Sequence, residues 1–306
     1  MIIAVFPGQG SQTPGFLSPW LAFDGARERL AAFSEQAGVD LIAAGTEWDA
    51  DRIRDTSVAQ PLIVAASLLS WAALSERAGS PVAGVAGHSV GEIAALAASG
   101  VLSDADALRL VGLRGRAMAE AASAVETGMS AVVGGDEQAV LERLEALNLT
   151  PANYNGGGQI VAAGELPALA ELASDAPRGT RVIPLQVAGA FHTRFMEPAV
   201  ETLRSAAADV EVGDPELTLW TNSDGSVVSD GRRALDLVVA QVASPVRWDR
   251  CMASFAEHGV TGIIELSPAG ALTGLAKRAL RGTPTVAVKT PDDLDAAVSL
   301  LKEDQA

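Results

Sequence analysis

Five consecutive residues, Gly87-His88-Ser89-Val90-Gly91, carry the clearest chemistry in the chain. A hydroxyl flanked by glycines two residues on either side is the pattern of a nucleophile on a strained strand-to-helix turn. Larger neighbours clash there, and the N–H groups that open the helix face a developing oxyanion. Val82 to Ala86 has the composition of a short buried strand, and Glu92 to Ser99 that of a helix ended by Gly100. A chance glycine–serine turn in a chain with 30 glycines has no need of that strand, turn and helix order. The chemistry that fits is attack by Ser89 on an acyl carbon.

A serine hydroxyl needs a base, and the chain has only 3 histidines. His88 adjoins Ser89, but neighbouring side chains on a sharp turn diverge, so its expected role is to support the turn. His258, in Glu257-His258-Gly259, reads as the exposed end of a helix. His192 closes Gly189-Ala190-Phe191-His192, just beyond a strand, where a loop can reach a shared site. It is the expected base. No acid is singled out among 38 Asp and Glu residues, so a triad and a dyad both stay open.

Between Asp104 and Ala122, the residues Ala107, Leu110, Val111, Arg114, Ala117, Met118 and Ala121 form one stripe at helical period, apolar except for the arginine. A guanidinium on that face needs an anion, because it stays charged and an unpaired buried charge is costly. Periodicity alone favours a structural Asp or Glu over a bound substrate carboxylate. Arg109 and Arg116 fall on the opposite, solvated face. Gly8-Gln9-Gly10-Ser11-Gln12 reads either as a tight turn or as a second source of oxyanion donors. It lacks the Gly-Lys-Ser or Gly-Lys-Thr ending of a phosphate loop.

These residues need elements to hold them. Ile2 to Phe6 reads as the first strand, ending at Pro7-Gly8. A buried helix is expected from about Pro61 to Arg77, and another from a Ser103 cap to about Ala122. Strand, helix, strand, strand, helix and strand then follow over Met129–Val133, Glu137–Leu147, Thr150–Asn155, Gln159–Ala163, Leu166–Ala173 and Arg181–Val187, which is the ferredoxin-like order. Residues 124–188 are therefore expected to form an inserted small subdomain in a discontinuous α/β domain of residues 1–123 and 189–306. In the second part, a helix after Arg194, a strand at Leu217–Thr221, a helix at Leu235–Val242, a strand at Gly262–Leu266 and a helix at Ala271–Leu280 restore the alternation.

Composition agrees with a globular enzyme: 48% hydrophobic residues with 4% aromatics imply a core of Ala, Val, Leu and Ile. A net charge of −16 argues against nucleic-acid binding, which needs clustered Lys and Arg. The single cysteine, Cys251, excludes an intrachain disulfide and suggests a reducing compartment. No secretory leader is expected. The apolar run Leu62 to Leu74 is shorter than the roughly 20 residues a membrane span requires. A cytoplasmic protein without a membrane partner is expected.

Taken together, the motifs resemble malonyl-CoA:acyl-carrier-protein transacylases. The resemblance rests on Phe6-Pro7-Gly8-Gln9-Gly10-Ser11-Gln12, Gln60-Pro61, Gly87-His88-Ser89-Val90-Gly91-Glu92, Leu113-Arg114-Gly115, Ala190-Phe191-His192, Gln241, Ser244-Pro245-Val246-Arg247-Trp248 and Leu272-Thr273-Gly274-Leu275, spread over nearly the whole chain. It implies an α/β fold, with an α/β-hydrolase-like large domain and a ferredoxin-like insertion. It also implies Ser89 as nucleophile, His192 as base, the Gln241 backbone carbonyl orienting the histidine, and Gln9 with the Val90 N–H as the oxyanion hole. Arg114 is implied to bind the free carboxylate of a malonyl group, with Phe191, Met118 and Gln60 also on the substrate. The implied partners are malonyl-CoA as donor and acyl carrier protein as acceptor, with no resident cofactor. Carriers of this type are acidic, which makes Lys277, Arg278 and Arg281 a candidate docking cluster, although cations also suit the end of a helix. A serine hydrolase or thioesterase, and a non-catalytic carrier-binding module, are the competing classes.

Overall fold

The alternating pattern of Ile2, Ala4 and Phe6 against Ile3 and Val5 divides between two apolar cores, one on each side of the first strand. All five residues are buried, as expected of a central strand covered by helices on both faces. The structure is a computed structural model and describes residues 1–78 and 82–304.

Strand β1 (Ile2–Phe6) leads to helices α1 (Ala26–Ala37), α2 (Leu41–Thr46), α3 (Ala50–Arg54) and α4 (Thr56–Ala78), then β2 (Gly84–Gly87), α5 (Gly91–Ala98) and α6 (Asp104–Ser123). The next stretch holds β3 (Thr127–Gly134), α7 (Glu137–Ala146), β4 (Thr150–Gly156), β5 (Gln159–Glu165), α8 (Leu166–Ser174) and β6 (Thr180–Pro184). The remainder holds α9 (Glu197–Ala208), β7 (Thr218–Trp220), β8 (Val227–Val228), α10 (Gly231–Gln241), α11 (Trp248–Glu257), β9 (Gly262–Glu265), α12 (Ala271–Ala279), β10 (Thr285–Ala287) and α13 (Leu294–Glu303).

The large sheet has the order β10-β9-β1-β2-β7-β8 and is parallel except for β8. The small sheet is antiparallel with the order β4-β5-β3-β6, and α7 and α8 share its own apolar core. This is an α/β-hydrolase-like domain with a ferredoxin-like insertion, the fold class that the sequence implies. In an open parallel sheet, sites form beyond the carboxyl ends of the strands. Here the ends of β1, β2 and β7 carry the Gln9 loop, Ser89 and the Thr221-Asn222 pair.

Two elements differ from expectation in ways that matter for the site. Helix α4 begins at Thr56, ahead of Pro61, because Asp55 accepts the Ser57 N–H at 2.8 Å and starts the helix early. Pro61 then lies inside, where its missing N–H leaves the Ser57 carbonyl without its usual donor. At 23 residues α4 is long and apolar enough to cross a membrane by composition, yet 83% of its most apolar window is buried within the protein. Strand β6 stops at Pro184, and the residues expected to continue it, Leu185 and Val187, line the cleft over Ser89 instead.

Candidate active site

The turn between β2 and α5 holds Ser89 at φ +52°, a left-handed conformation that side chains disfavour. Its flanking glycines are steric requirements. A Cβ on Gly87 would lie 2.0 Å from the Gly91 carbonyl carbon, and one on Gly91 would lie 2.2 Å from the Phe6 carbonyl oxygen. The His88 N–H donates to that same Phe6 oxygen at 2.9 Å, which fastens the turn to β1.

His192 reaches the turn from the loop after β6. Its Nε2 is 2.7 Å from Ser89 Oγ. Its backbone is also left-handed, at φ +62°, and its N–H donates to the Val242 carbonyl at 3.2 Å. On the far side of the ring, Nδ1 lies 2.8 Å from the Gln241 carbonyl oxygen at the end of α10. A carbonyl only accepts, so Nδ1 carries the proton and Nε2 turns its lone pair toward the serine. No acid takes part in this pair, which is why none stood out in the sequence. Burial, reinforced by the positive charge of Arg114 and opposed by the Gln241 hydrogen bond, lowers the His192 pKa to about 3. The imidazole is neutral at pH 7.

Two N–H groups near the serine, those of Val90 and Gln9, make no hydrogen bond among the described residues. The Gln9 side chain is directed elsewhere: its Nε2 lies 3.4 Å from both the Arg54 carbonyl and Thr56 Oγ1. Of the Gln9 donors, the side-chain amide and the backbone N–H, only the backbone N–H is unengaged among the described residues.

Arg114 is 1% exposed on the stripe of α6 that faces α4. Its Nη1 donates to Gln60 Oε1 at 2.7 Å and its Nη2 to Gln241 Oε1 at 3.2 Å, while Nε has no partner among the described residues. It forms no salt bridge among them. This corrects the structural ion pair that periodicity favoured, because the space beside the guanidinium is filled by neutral amide oxygens. Burial lowers the Arg114 pKa to about 10 against the opposing charge of Glu92, so the cation persists at neutral pH. Gln60, Met118 and Phe191 line the same cleft as Ser89 and His192, with Arg114 sealed behind Gln60.

The acyl transferase domain family matches residues 3–303. The malonyl CoA-acyl carrier protein transacylase of Mycobacterium tuberculosis is 54% identical over 303 residues, which cover 98% of this chain and 100% of that protein. The chain belongs to the malonyl CoA-acyl carrier protein transacylase family. The crystal structure of MCAT from Mycobacterium tuberculosis superposes with a TM-score of 0.94 at 54% identity, covering 97% of this chain and 100% of that one. A malonyl-transacylase in complex with a type II PKS acyl-carrier protein has a TM-score of 0.92 at 31% identity, covering 97% and 99%.

In this transacylase-family site, sequence reasoning had not singled out four buried polar residues: Glu92, Asn222, Asn153 and Asn155. Glu92 sits in the apolar helix α5 and accepts hydrogen bonds from the Asn222 N–H at 2.8 Å and from Gln241 Nε2. Burial raises its pKa to about 8, opposed by the Asn222 hydrogen bond, Thr221 and the charge of Arg114. A lone acid inside Gly-Glu-Ile-Ala-Ala-Leu was a usable signal. Asn153 and Asn155, on β4, line the cleft.

His88 braces the turn as expected, with Nε2 at 2.9 Å from Asn155 Oδ1 and its ring edge-on to Trp248. His258 caps the exposed end of α11. Arg109 is exposed and paired with Asp106, and the exposed Arg116 donates to the Ala37 carbonyl at 2.9 Å. Lys277, Arg278 and Arg281 are exposed at the end of α12 and just beyond, outside the cleft. Burial pushes the Cys251 thiol well above its ordinary pKa, and the group faces the Thr221 carbonyl. No metal-ligating cluster occurs among the described residues.

The lowered histidine pKa sets a pH dependence. A depressed base is lost only when pH falls through its folded value, far below the ordinary imidazole range near 6.5. The kcat/KM for malonyl transfer, followed by rapid quench, is expected to stay flat from about pH 7.5 to about pH 5.5. An acid limb centred near the ordinary histidine value would contradict the lowering.

Proposed function

We propose that this protein transfers a malonyl group from malonyl-CoA to the phosphopantetheine thiol of acyl carrier protein through an ester on Ser89, supplying extender units for fatty-acid or polyketide synthesis. The observation that carries this reading is the buried Arg114 cation, held among the described residues only by amide oxygens and tied through Gln241 to His192, the residue that activates the serine.

The steps follow from the geometry. Ser89 Oγ attacks the thioester carbon while His192 Nε2 takes its proton. The oxyanion accepts from the Val90 and Gln9 N–H groups. Collapse breaks the carbon–sulfur bond, and the CoA sulfur leaves with the proton from His192. The carrier thiol then gives its proton to His192 and attacks the ester, and Ser89 regains its proton as the new thioester departs. All atoms and protons are accounted for by two substrates and the protein's own groups, so the reaction requires no resident cofactor.

A carboxylate entering the cleft displaces the Gln60 oxygen at Arg114, since a charged, bidentate acceptor is stronger than an amide. An acetyl group offers no such exchange. The Phe191 ring and Met118 bound the acyl pocket, and a single α-methyl branch costs about 1 to 3 kcal/mol against such a wall. Residues 124–188, set between 1–123 and 189–306, form the subdomain that closes the cleft from the β4 side. A cytoplasmic location fits the enclosed helix α4 and the sequestered thiol of Cys251.

Intact-protein mass spectrometry after incubation with malonyl-CoA is expected to reveal one malonyl adduct, absent in Ser89→Ala. In Arg114→Ala, acylation by malonyl-CoA should fall by about 100-fold or more while acylation by acetyl-CoA changes little. An unmodified wild-type protein, or an unchanged malonyl preference in Arg114→Ala, would refute the assignment.

Lys277, Arg278 and Arg281 are proposed to meet the acidic carrier. Arg278 packs against Gly157 in the β4–β5 hairpin, on the strand that carries Asn153 and Asn155 into the cleft. Replacing both Arg278 and Arg281 by Glu is expected to raise KM for the carrier about tenfold and spare KM for malonyl-CoA. An unchanged carrier KM would remove the cluster from the docking surface.

A further inference from the structure

Asn222 lies in the turn two residues beyond β7, which is the strand that pairs with β2, and is 0% exposed. Each of its polar groups is used. Oδ1 accepts the Ser89 N–H at 2.8 Å and Gln241 Nε2 at 3.1 Å. Nδ2 donates to the Gly87 carbonyl at 2.7 Å. The backbone N–H donates to Glu92 Oε1 at 2.8 Å, and the backbone carbonyl accepts the Arg247 N–H at 2.8 Å.

One amide therefore grips the nucleophile turn at two points, the carbonyl before His88 and the N–H of Ser89 itself. That grip opposes the tendency of a side-chain-bearing residue to leave the left-handed region. It also removes the Ser89 N–H from the cleft, leaving the Val90 N–H as the donor that the turn offers to an oxyanion. The same Oδ1 holds the Gln241 side chain, whose carbonyl orients His192 and whose Oε1 contacts Arg114.

We infer that Asn222 is a positioning residue for acyl transfer: its carboxamide clamps Ser89 in attack geometry and, through Gln241, ties the nucleophile, the base and the guanidinium to one anchor. Glu92 secures that anchor by holding the Asn222 backbone and the Gln241 amide together. The inference rests on Ser89 and His192 being the reacting pair.

Two variants test it. In Asn222→Ala, the single-turnover rate of Ser89 acylation is expected to fall about 100-fold, with Kd for malonyl-CoA, measured in a Ser89→Ala background, changing less than about threefold. In Asn222→Asp, an ionised carboxylate repels the Gly87 carbonyl, whereas the protonated acid can donate to it and still accept from Ser89. Ionisable groups around that position are Glu92 on α5, Cys251 and Asp249 on α11, Arg247 just before α11, Asp224 in the turn after β7 and, through Gln241, Arg114 and His192. Burial beside Glu92 raises the new carboxyl's pKa, and His192 remains a neutral base well below pH 6. Acylation by Asn222→Asp should therefore rise as pH falls, where the unaltered enzyme is flat.

Acylation by Asn222→Ala within about threefold of the unaltered rate would overturn the inference. So would parallel loss of binding and rate, or an Asn222→Asp profile without the acid rise. The Asn222→Asp profile decides alone if the alanine variant does not fold. Failure of the unaltered protein to acylate at all would instead strike at the proposed reaction.

Discussion

The organisation of the site depends on a positive charge kept away from water. Arg114 projects from α6 toward α4, among side chains that offer it no carboxylate in salt-bridge range among the described residues. Amide oxygens from Gln60 and Gln241 partly compensate it. A permanent internal ion pair would have been a conventional solution, but it would leave a carboxylate-bearing substrate nothing to gain. Neutral oxygens keep the cation tolerable in the resting protein and can be replaced by a stronger acceptor.

Gln241 connects that charge to the Ser89–His192 pair. Its backbone carbonyl fixes the His192 tautomer, while its side chain touches Arg114, Glu92 and Asn222. A neutral carbonyl in the place of a triad acid gives the imidazolium less support. Burial and the nearby guanidinium, only partly offset by that carbonyl, leave His192 a weakly basic but deprotonated acceptor at neutral pH. Such a base suits transfer between thiols, because the proton it takes is readily returned to a leaving sulfur.

Local patterns made much of this legible. Gly87 and Gly91 have to be glycine because a Cβ on either overlaps the backbone of this tight turn or of β1, and the Ser103 cap marks the start of α6, accepting the Asp106 N–H as its spacing predicts. The strand and helix order of the insertion was readable from periods of about 2 and 3.6 residues. Other elements were not: the short helices α2 and α3 and edge strands β8 and β10 offer too few residues for a period, β8 having only two, and the longer α1 and α13 also fall outside the elements that the pattern identifies. Asn222 was hidden for a different reason. In Thr221-Asn222-Ser223-Asp224-Gly225 it reads as ordinary turn chemistry, and it acquires its role only because β7 pairs with β2, with Trp220 opposite Ala86. Likewise, periodicity located Arg114 on the buried face correctly but could not reveal its partners, which come from α4 and α10.

The most direct measurement of the central claim compares Ser89 acylation by malonyl-CoA with that by its neutral carboxamide isostere, which matches the acyl group in size but lacks the charge. An under-compensated buried guanidinium predicts that the amide reacts slower by about 100-fold or more, a difference that disappears in Arg114→Ala. Equal acylation rates for the two donors in the unaltered protein would contradict it.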